Sequence, residues 1–169
     1  TALELPLAAA EEETLAFELA GQNQCRWTSP TADPTPAELV RLPGSLEGPL
    51  LLEIETDLDA TSALTANVAM LDADGTAVRM APYTSFRERR GRRSIRVILR
   101  PDDVPGYLWV GAAPEAWPVI GRRNFRAATA RTLSIIGLEL GDDSTEFVRS
   151  RSEGEVRIRV QAFAAPVVD

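Results

Sequence analysis

Alternation of apolar and polar residues recurs along the chain and predicts β-strands. Leu15, Phe17 and Leu19 alternate with Ala16 and Glu18, which is the period-two pattern of a half-buried strand. The other strand-like runs are 38–42, 49–57, 66–72, 76–80, 94–100, 107–110, 132–140 and 155–161. The pattern therefore predicts about eight or nine short strands, with turn signals roughly every ten residues.

This spacing favours an all-β fold, a single β-sandwich or jelly-roll-like domain of antiparallel strands. The chain contains 11 Gly and 12 Pro spread along its length, which leaves little room for the helices that βαβ units require. Residues 1–13 are rich in Ala, Leu and Glu and are interrupted by Pro6. We predict that 1–13 form an extended or partly helical N-terminal arm and that 14–169 form the single sandwich domain.

The composition excludes several kinds of site. The chain has no His, and all 18 of its basic residues are Arg, so His-dependent nucleophilic sites, His-bearing zinc sites and lysine Schiff bases cannot be built. Cys25 is the single cysteine; it cannot close an internal disulfide, and we interpret it as a buried or partly buried small side chain.

The net charge of −7 argues against nucleic acid as a partner. No apolar run reaches the roughly 18 residues of a transmembrane segment, and we predict no cofactor.

An ordered series of segments resembles the maltose operon periplasmic protein family. The segments are LVRLP (39–43), GPLLLEIET (48–56), ANVAMLDADGTAVRM (66–80), APYTSFRER (81–89), the arginine-initiated strand 96–100, GYLWVGAA (106–113) and EGEVRIRVQ (153–161). The strand–turn–strand pattern that ends in a Gly-Tyr-aromatic-Val strand is also similar to bacterial pre-peptidase C-terminal domains. Both resemblances imply a β-sandwich exported to the bacterial periplasm or cell surface. The first also implies a link to maltodextrin or other glycan handling, and neither supplies a catalytic residue.

Four residues are candidates for ligand binding. Tyr107 and Trp109 share one face of a predicted strand, whereas Glu115 and Trp117 lie in the Pro-flanked segment PEAWPVIG. A sugar would stack on an exposed aromatic ring and bind a nearby acid through its hydroxyl groups. Trp117 is the better candidate because loops carry binding residues more often than strands do. The alternative for the strand aromatics is packing in the core.

A cluster of arginines is the candidate for anion or partner binding. The segment FRERRGRRSIR places five of them within seven residues, at Arg87, Arg89, Arg90, Arg92 and Arg93. Gly91 suggests the tip of a hairpin, from which the guanidinium groups would project toward phosphates, acidic glycans or an acidic partner. The alternative is a solvated tip that pairs with neighbouring acids.

Acidic residues offer two further candidates. Asp72 and Asp74 before Gly75 resemble the start of a calcium loop, but no further ligands follow at the required spacing. The Asp-Gly step is also a hairpin turn signal, which is the simpler interpretation. A carboxylate-based hydrolase would need two acids facing each other across a cleft, and the sequence carries no motif for one.

The N-terminal arm gives a second functional hypothesis. Leu3, Leu5 and Leu7 alternate, so the arm could add itself as a strand to the sheet edge of a neighbouring subunit and form a homo-oligomer. The first hypothesis is an exported, non-catalytic accessory or binding protein that contacts a protein partner or a glycan at the cell envelope.

Overall fold

The computed structural model describes residues 2–6, 13–21, 35–59, 62–89, 92–101, 106–113, 119–125 and 143–162. Within these ranges, regular structure consists of thirteen strands and a 3₁₀ helix over Tyr83–Ser85. The strands are β1 (Leu3–Glu4), β2 (Glu13–Leu19), β3 (Ala37–Arg41), β4 (Leu50–Thr56), β5 (Ser62–Leu64), β6 (Ala66–Leu71), β7 (Ala77–Ala81), β8 (Arg87–Arg89), β9 (Arg92–Leu99), β10 (Tyr107–Ala112), β11 (Val119–Phe125), β12 (Asp143–Arg151) and β13 (Gly154–Ala162).

The strands form two five-stranded sheets and one three-stranded sheet. The first sheet has the order β1-β3-β10-β6-β7, the second β2-β13-β4-β9-β8, and the third β11-β12-β5. Two pairings, β1 with β3 and β12 with β5, are parallel, and the other pairings are antiparallel. The predicted all-β, sandwich-like fold is therefore confirmed.

The core lies between the two five-stranded sheets because each presents its apolar alternate positions to the other. In the second sheet, Ile54 of β4 lies beside Ile158 of β13 and Ile95 of β9. In the first sheet, Val110 of β10 lies beside Val68 of β6. The buried members of both sets belong to one continuous apolar cluster. Burial of this kind is the main stabilising contribution to such a domain.

Most predicted strands are observed. Eight of the nine predicted runs coincide with β2, β3, β4, β6, β7, β9, β10 and β13, and the ninth, 132–140, lies outside the described residues. The total exceeds the predicted number because β1, β5 and β8 are only two or three residues long and because β11 and β12 were not predicted. The arm is extended at β1, and β2 begins at Glu13. Among the described residues, there is no helix with the length and apolar character needed to cross a membrane.

Candidate functional site on the open side of the sandwich

Tyr107 and Trp109 lie on the same side of β10, on the face of the first sheet that is turned away from the main core. A second apolar cluster occupies this face. Trp109 is only 8% exposed, and its indole covers Gly111, where an added Cβ would overlap the ring atoms Cη2 and Cζ2. Tyr107 is half-buried, with the guanidinium carbon of Arg41 5.8 Å from its ring centroid. The structure thus uses Trp109 for packing, as the alternative interpretation had it. Glu115 and Trp117 lie outside the described residues.

The predicted arginine cluster spans a hairpin in which two arginines contact the domain itself. Arg89 of β8 lies opposite Arg92 of β9 in an antiparallel pair, and Gly91, the predicted tip, lies outside the described residues. Arg92 donates a hydrogen bond to Oε2 of Glu55 at 3.1 Å, and Arg93 donates one to the Phe86 carbonyl at 3.1 Å. These two guanidinium groups therefore form contacts within the domain, although the Arg92 side chain remains 47% exposed.

The remaining members of the cluster are Arg87, Arg89 and Arg90. Arg87 is exposed, while Arg90 and the side chain of Arg89 lie outside the described part of the chain. The guanidinium of Arg93 also lies 4.4 Å from the ring centroid of buried Tyr83. Burial raises the pKa of the Tyr83 phenol, against the opposing effect of the Arg93 charge. Binding of an anion by the whole cluster stays a prediction.

Asp72 and Asp74 occupy the turn between β6 and β7. Oδ1 of Asp72 accepts hydrogen bonds from the backbone N–H groups of Asp74 at 3.0 Å and Thr76 at 2.8 Å. Gly75 adopts a φ of 83°, which a residue with a side chain rarely adopts. The hairpin interpretation is confirmed by the pairing of β6 with β7. No group of three or more acids or cysteines within the described ranges could hold a metal ion.

The N-terminal arm adds a strand to the sheet of its own chain. Leu3 of β1 lies beside Val40 of β3, and the Leu5 N–H donates a hydrogen bond to the Arg41 carbonyl at 3.2 Å. Leu5 is buried in the main core, and Leu3 packs against it. Leu7, and Cys25 further along, lie outside the described residues.

The outer face of the second sheet carries glutamates held between arginines of neighbouring strands. Glu55 of β4 pairs with Arg92 of β9 and with Arg159 of β13. Glu53 of β4 accepts a hydrogen bond from Arg96 Nε at 2.9 Å. Burial raises the pKa of Glu53, but the hydrogen bond and charge of Arg96 and the charge of Arg159 outweigh it and hold that pKa below its ordinary value.

A polar cleft of about 170 Å³ at one end of this face holds several carboxylates. Glu155 receives two hydrogen bonds from Arg157, at 2.8 and 2.7 Å, and these hold the pKa of Glu155 below its ordinary value. Asp57 pairs with Arg151. Glu55, the third carboxylate of the cleft, pairs with Arg92. The cleft is therefore best described as an ion-pair network.

A larger cleft of about 490 Å³ opens along one side of the sandwich, between β7 and β9. β7 is the last strand of the first sheet, and β9 is covered by β8 only as far as Ser94. Each of these strands thus has an edge without a described neighbour along the cleft. The lining residues are Val68, Met70, Arg79, Ala81, Ile95, Arg96, Val97, Ile98 and Arg100.

Exposed apolar side chains concentrate on the same two strands. Among the described residues, the exposed large hydrophobics are Val78 at 58%, Met80 at 56% and Ile98 at 54%. Val78 and Met80 belong to β7, and Ile98 belongs to β9. The sequence analysis did not predict this site. A signal that could have indicated it is Ile98, an apolar residue in the otherwise polar row of Arg96 and Arg100.

The charge at this cleft is positive, in contrast to the net charge of −7 for the chain. Of the lining residues that the structure describes, three are arginines and none is an acid. Arg96 is paired with Glu53, whereas Arg79 and Arg100 are exposed and form no ion pair with other described residues. The side of the sandwich between β7 and β9, here named the open side, therefore combines apolar lining residues with arginines. No protein-family model and no curated protein matches this chain, so its function has to be argued from this geometry.

Proposed function

We propose that this chain is a non-catalytic binding module whose open side receives an extended apolar segment of a partner protein. The observation that supports it is the coincidence of Val78, Met80 and Ile98, all more than half exposed, with the two open strand edges. Val78 and Met80 flank the edge of β7 on the outer face of the first sheet, and Ile98 flanks the edge of β9 on the outer face of the second. Exposed apolar surface marks interaction sites, and an unpaired strand edge is a ready template for another chain. A partner that covered both features would bury apolar surface and satisfy backbone groups together.

The chemistry of the lining favours a polypeptide over a sugar and over catalysis. The described lining residues include no aromatic ring on which a sugar could stack and no carboxylate that could act as acid or base. They do include backbone at a strand edge, which recognises peptides through main-chain hydrogen bonds. A link to glycan handling would then belong to the partner that this module recruits.

The proposed place of action is the bacterial periplasm or cell surface. Support for it comes from the resemblance of 39–113 to the maltose operon periplasmic protein family and to pre-peptidase C-terminal domains. An accessory protein there would act by binding, which suits a domain that presents an open edge.

The test is whether the open side offers accessible apolar surface. Nile red, an uncharged dye, is titrated with the intact chain and with the triple variant Val78→Thr, Met80→Gln, Ile98→Thr, which retains strand-forming side chains at two of the positions. We expect saturable fluorescence from the intact chain and at least a fivefold loss in the variant. Ala16→Gln, an exposed position of β2 at the opposite edge of the second sheet, is the control and retains the signal. Equal fluorescence from all three proteins would refute the proposal.

Assembly through the N-terminal arm is the second candidate. β1 already adds to β3 as a strand, with Leu5 buried, so two copies that exchanged β1 would make the same contacts between chains. Strand exchange of this type is a common route to dimers. This gives the assembly hypothesis a specific geometry, in which the arm completes the first sheet of the neighbouring copy.

A further inference from the structure

Building on the proposed function, we infer that the partner segment is acidic and adds to the second sheet as a strand along residues 95–99 of β9. Three properties of the open side support this: the course of the cleft, the sign of its charge and the spacing of its arginines.

The cleft follows the backbone edge of β9. Four consecutive residues, Ile95 to Ile98, line it, although successive side chains of a strand point to opposite faces. Only a groove that runs beside the strand contacts both sets. Pairing with β8 ends at Ser94, while pairing with β4 on the other side continues to Leu99. The N–H and C=O groups that point away from β4 therefore face the groove, where an incoming strand could bond to them.

The charge of the cleft selects an acidic occupant. Arg79 lies on the wall formed by β7, and Arg100 follows the end of β9. Both are exposed and without an ion pair among the described residues. A carboxylate placed between them would gain charge-assisted hydrogen bonds. A basic segment would meet two uncompensated positive charges.

Arg96 and Arg100 argue against a second copy of this edge as the occupant. Pairing of β9 with β9 of another copy would bring Arg96 and Arg100 toward the corresponding arginines of the partner. Like charges directly opposite each other destabilise a strand pair. An edge with this pattern is protected from self-association and open to a partner of opposite charge.

The spacing of the side chains defines the pattern of the partner. The outer row of β9, continued by the residue after it, reads Arg96, Ile98, Arg100, so the Cα atoms of the two arginines are four residues, or about 13 Å, apart. Arg96 is already paired with Glu53, so Arg100 is the main anchor for an acidic side chain. The inner row, Ile95, Val97 and Leu99, is apolar. A complementary strand would carry acidic residues at positions i and i+4, an apolar residue at i+2, and apolar residues at i+1 and i+3.

A pair of peptides tests this pattern on the intact chain. The acidic probe is fluorescein-labelled Ser-Glu-Val-Leu-Val-Glu-Ser, and the basic probe carries Lys in place of both Glu. By fluorescence anisotropy, we expect the acidic peptide to bind at least tenfold more tightly than the basic one. Arg100→Glu should reverse this order. Arg87→Glu makes the same change at an exposed arginine outside the cleft and should alter the affinity by less than twofold.

Backbone methylation separates strand addition from binding through side chains alone. In an added strand, the N–H groups of alternate residues point toward the host strand. Methylation of one alternate set of peptide nitrogens should therefore abolish binding, and methylation of the other set should leave it within threefold. Equal effects of the two sets would overturn the strand geometry.

The remaining outcomes distinguish the inference from the proposed function. Absence of Nile red binding by the intact chain, or equal binding by the intact chain and the triple variant, would overturn both the proposed function and the inference. If the intact chain binds Nile red but shows no preference between the peptides, or binds neither peptide, the inference is overturned and the proposed function stands. Displacement of the dye by dodecanoate in the absence of peptide binding would identify an anionic amphiphile as the ligand. A dimer of the intact chain that becomes a monomer in the Val78→Thr, Met80→Gln, Ile98→Thr variant would show that a second copy covers the cleft.

Discussion

At the scale of single residues, the contact of Trp109 with Gly111 shows how the first sheet closes its outer face. The two residues lie on the same side of β10, and the indole takes the space that a Cβ at 111 would need. Sequence alternation predicts that Tyr107 and Trp109 share a face. It does not predict that Ala37 and Ala69 of neighbouring strands pack there, because strand order depends on contacts far apart in the chain.

The first residue-scale prediction concerns this contact. Gly111→Ala would force the indole of Trp109 to move, since overpacking of a fitted site costs about 1–3 kcal/mol. We expect urea denaturation to show a loss in that range and acrylamide to quench tryptophan fluorescence more strongly. Gly44→Ala is the matched control, because a Cβ at 44 would meet nothing within 4 Å. Equal stability of the two variants would mean that Trp109 does not depend on the space above Gly111.

At the scale of elements, strands that bury one face were predictable and their order was not. The bounds of β4 and β13 were predicted to within about two residues because their apolar positions alternate. The insertion of β10 between β3 and β6, and of β13 between β2 and β4, follows from long-range pairing that no local pattern encodes. The cleft on the open side could not be predicted from the sequence either, because β9 has an open edge only beyond Ser94, where its pairing with β8 ends.

The element-scale prediction concerns β1. Deletion of residues 1–6 removes Leu5 from the core and uncovers the edge of β3, at a cost of about 2 kcal/mol for one buried leucine. We expect urea denaturation to show this loss, and light scattering after size exclusion to give the mass of one chain before and after deletion. A dimer of the intact chain that disappears on deletion would instead support exchange of the arm between copies.

At the scale of the whole molecule, charge is segregated. The chain carries a net charge of −7, yet the outer face of the second sheet pairs its acids with arginines and the open side leaves Arg79 and Arg100 unpaired among the described residues. At the sequence level, the net charge argues against nucleic acid as a general partner. It could not reveal a cationic cleft, which arises from arginines on two strands of different sheets.

Glu53 makes this charge arrangement measurable through pH. Its pKa is lower in the folded chain than the ordinary value of 4.5, so folding favours the charged carboxylate. The stability that it contributes is fully present above about pH 4.5 and is lost as the pH falls through the lower folded pKa. Glu53→Gln should therefore cost about 1 kcal/mol at pH 7, and the difference from the unmodified chain should shrink as the pH falls below 4.5. Urea midpoints at several pH values measure this, with Glu47→Gln as control, since Glu47 is exposed and forms no ion pair with other described residues. A difference that stayed constant from pH 7 to 3 would assign the cost to packing of the side chain, and the arginines around Glu53 would then have no part in the acid stability of the sheet.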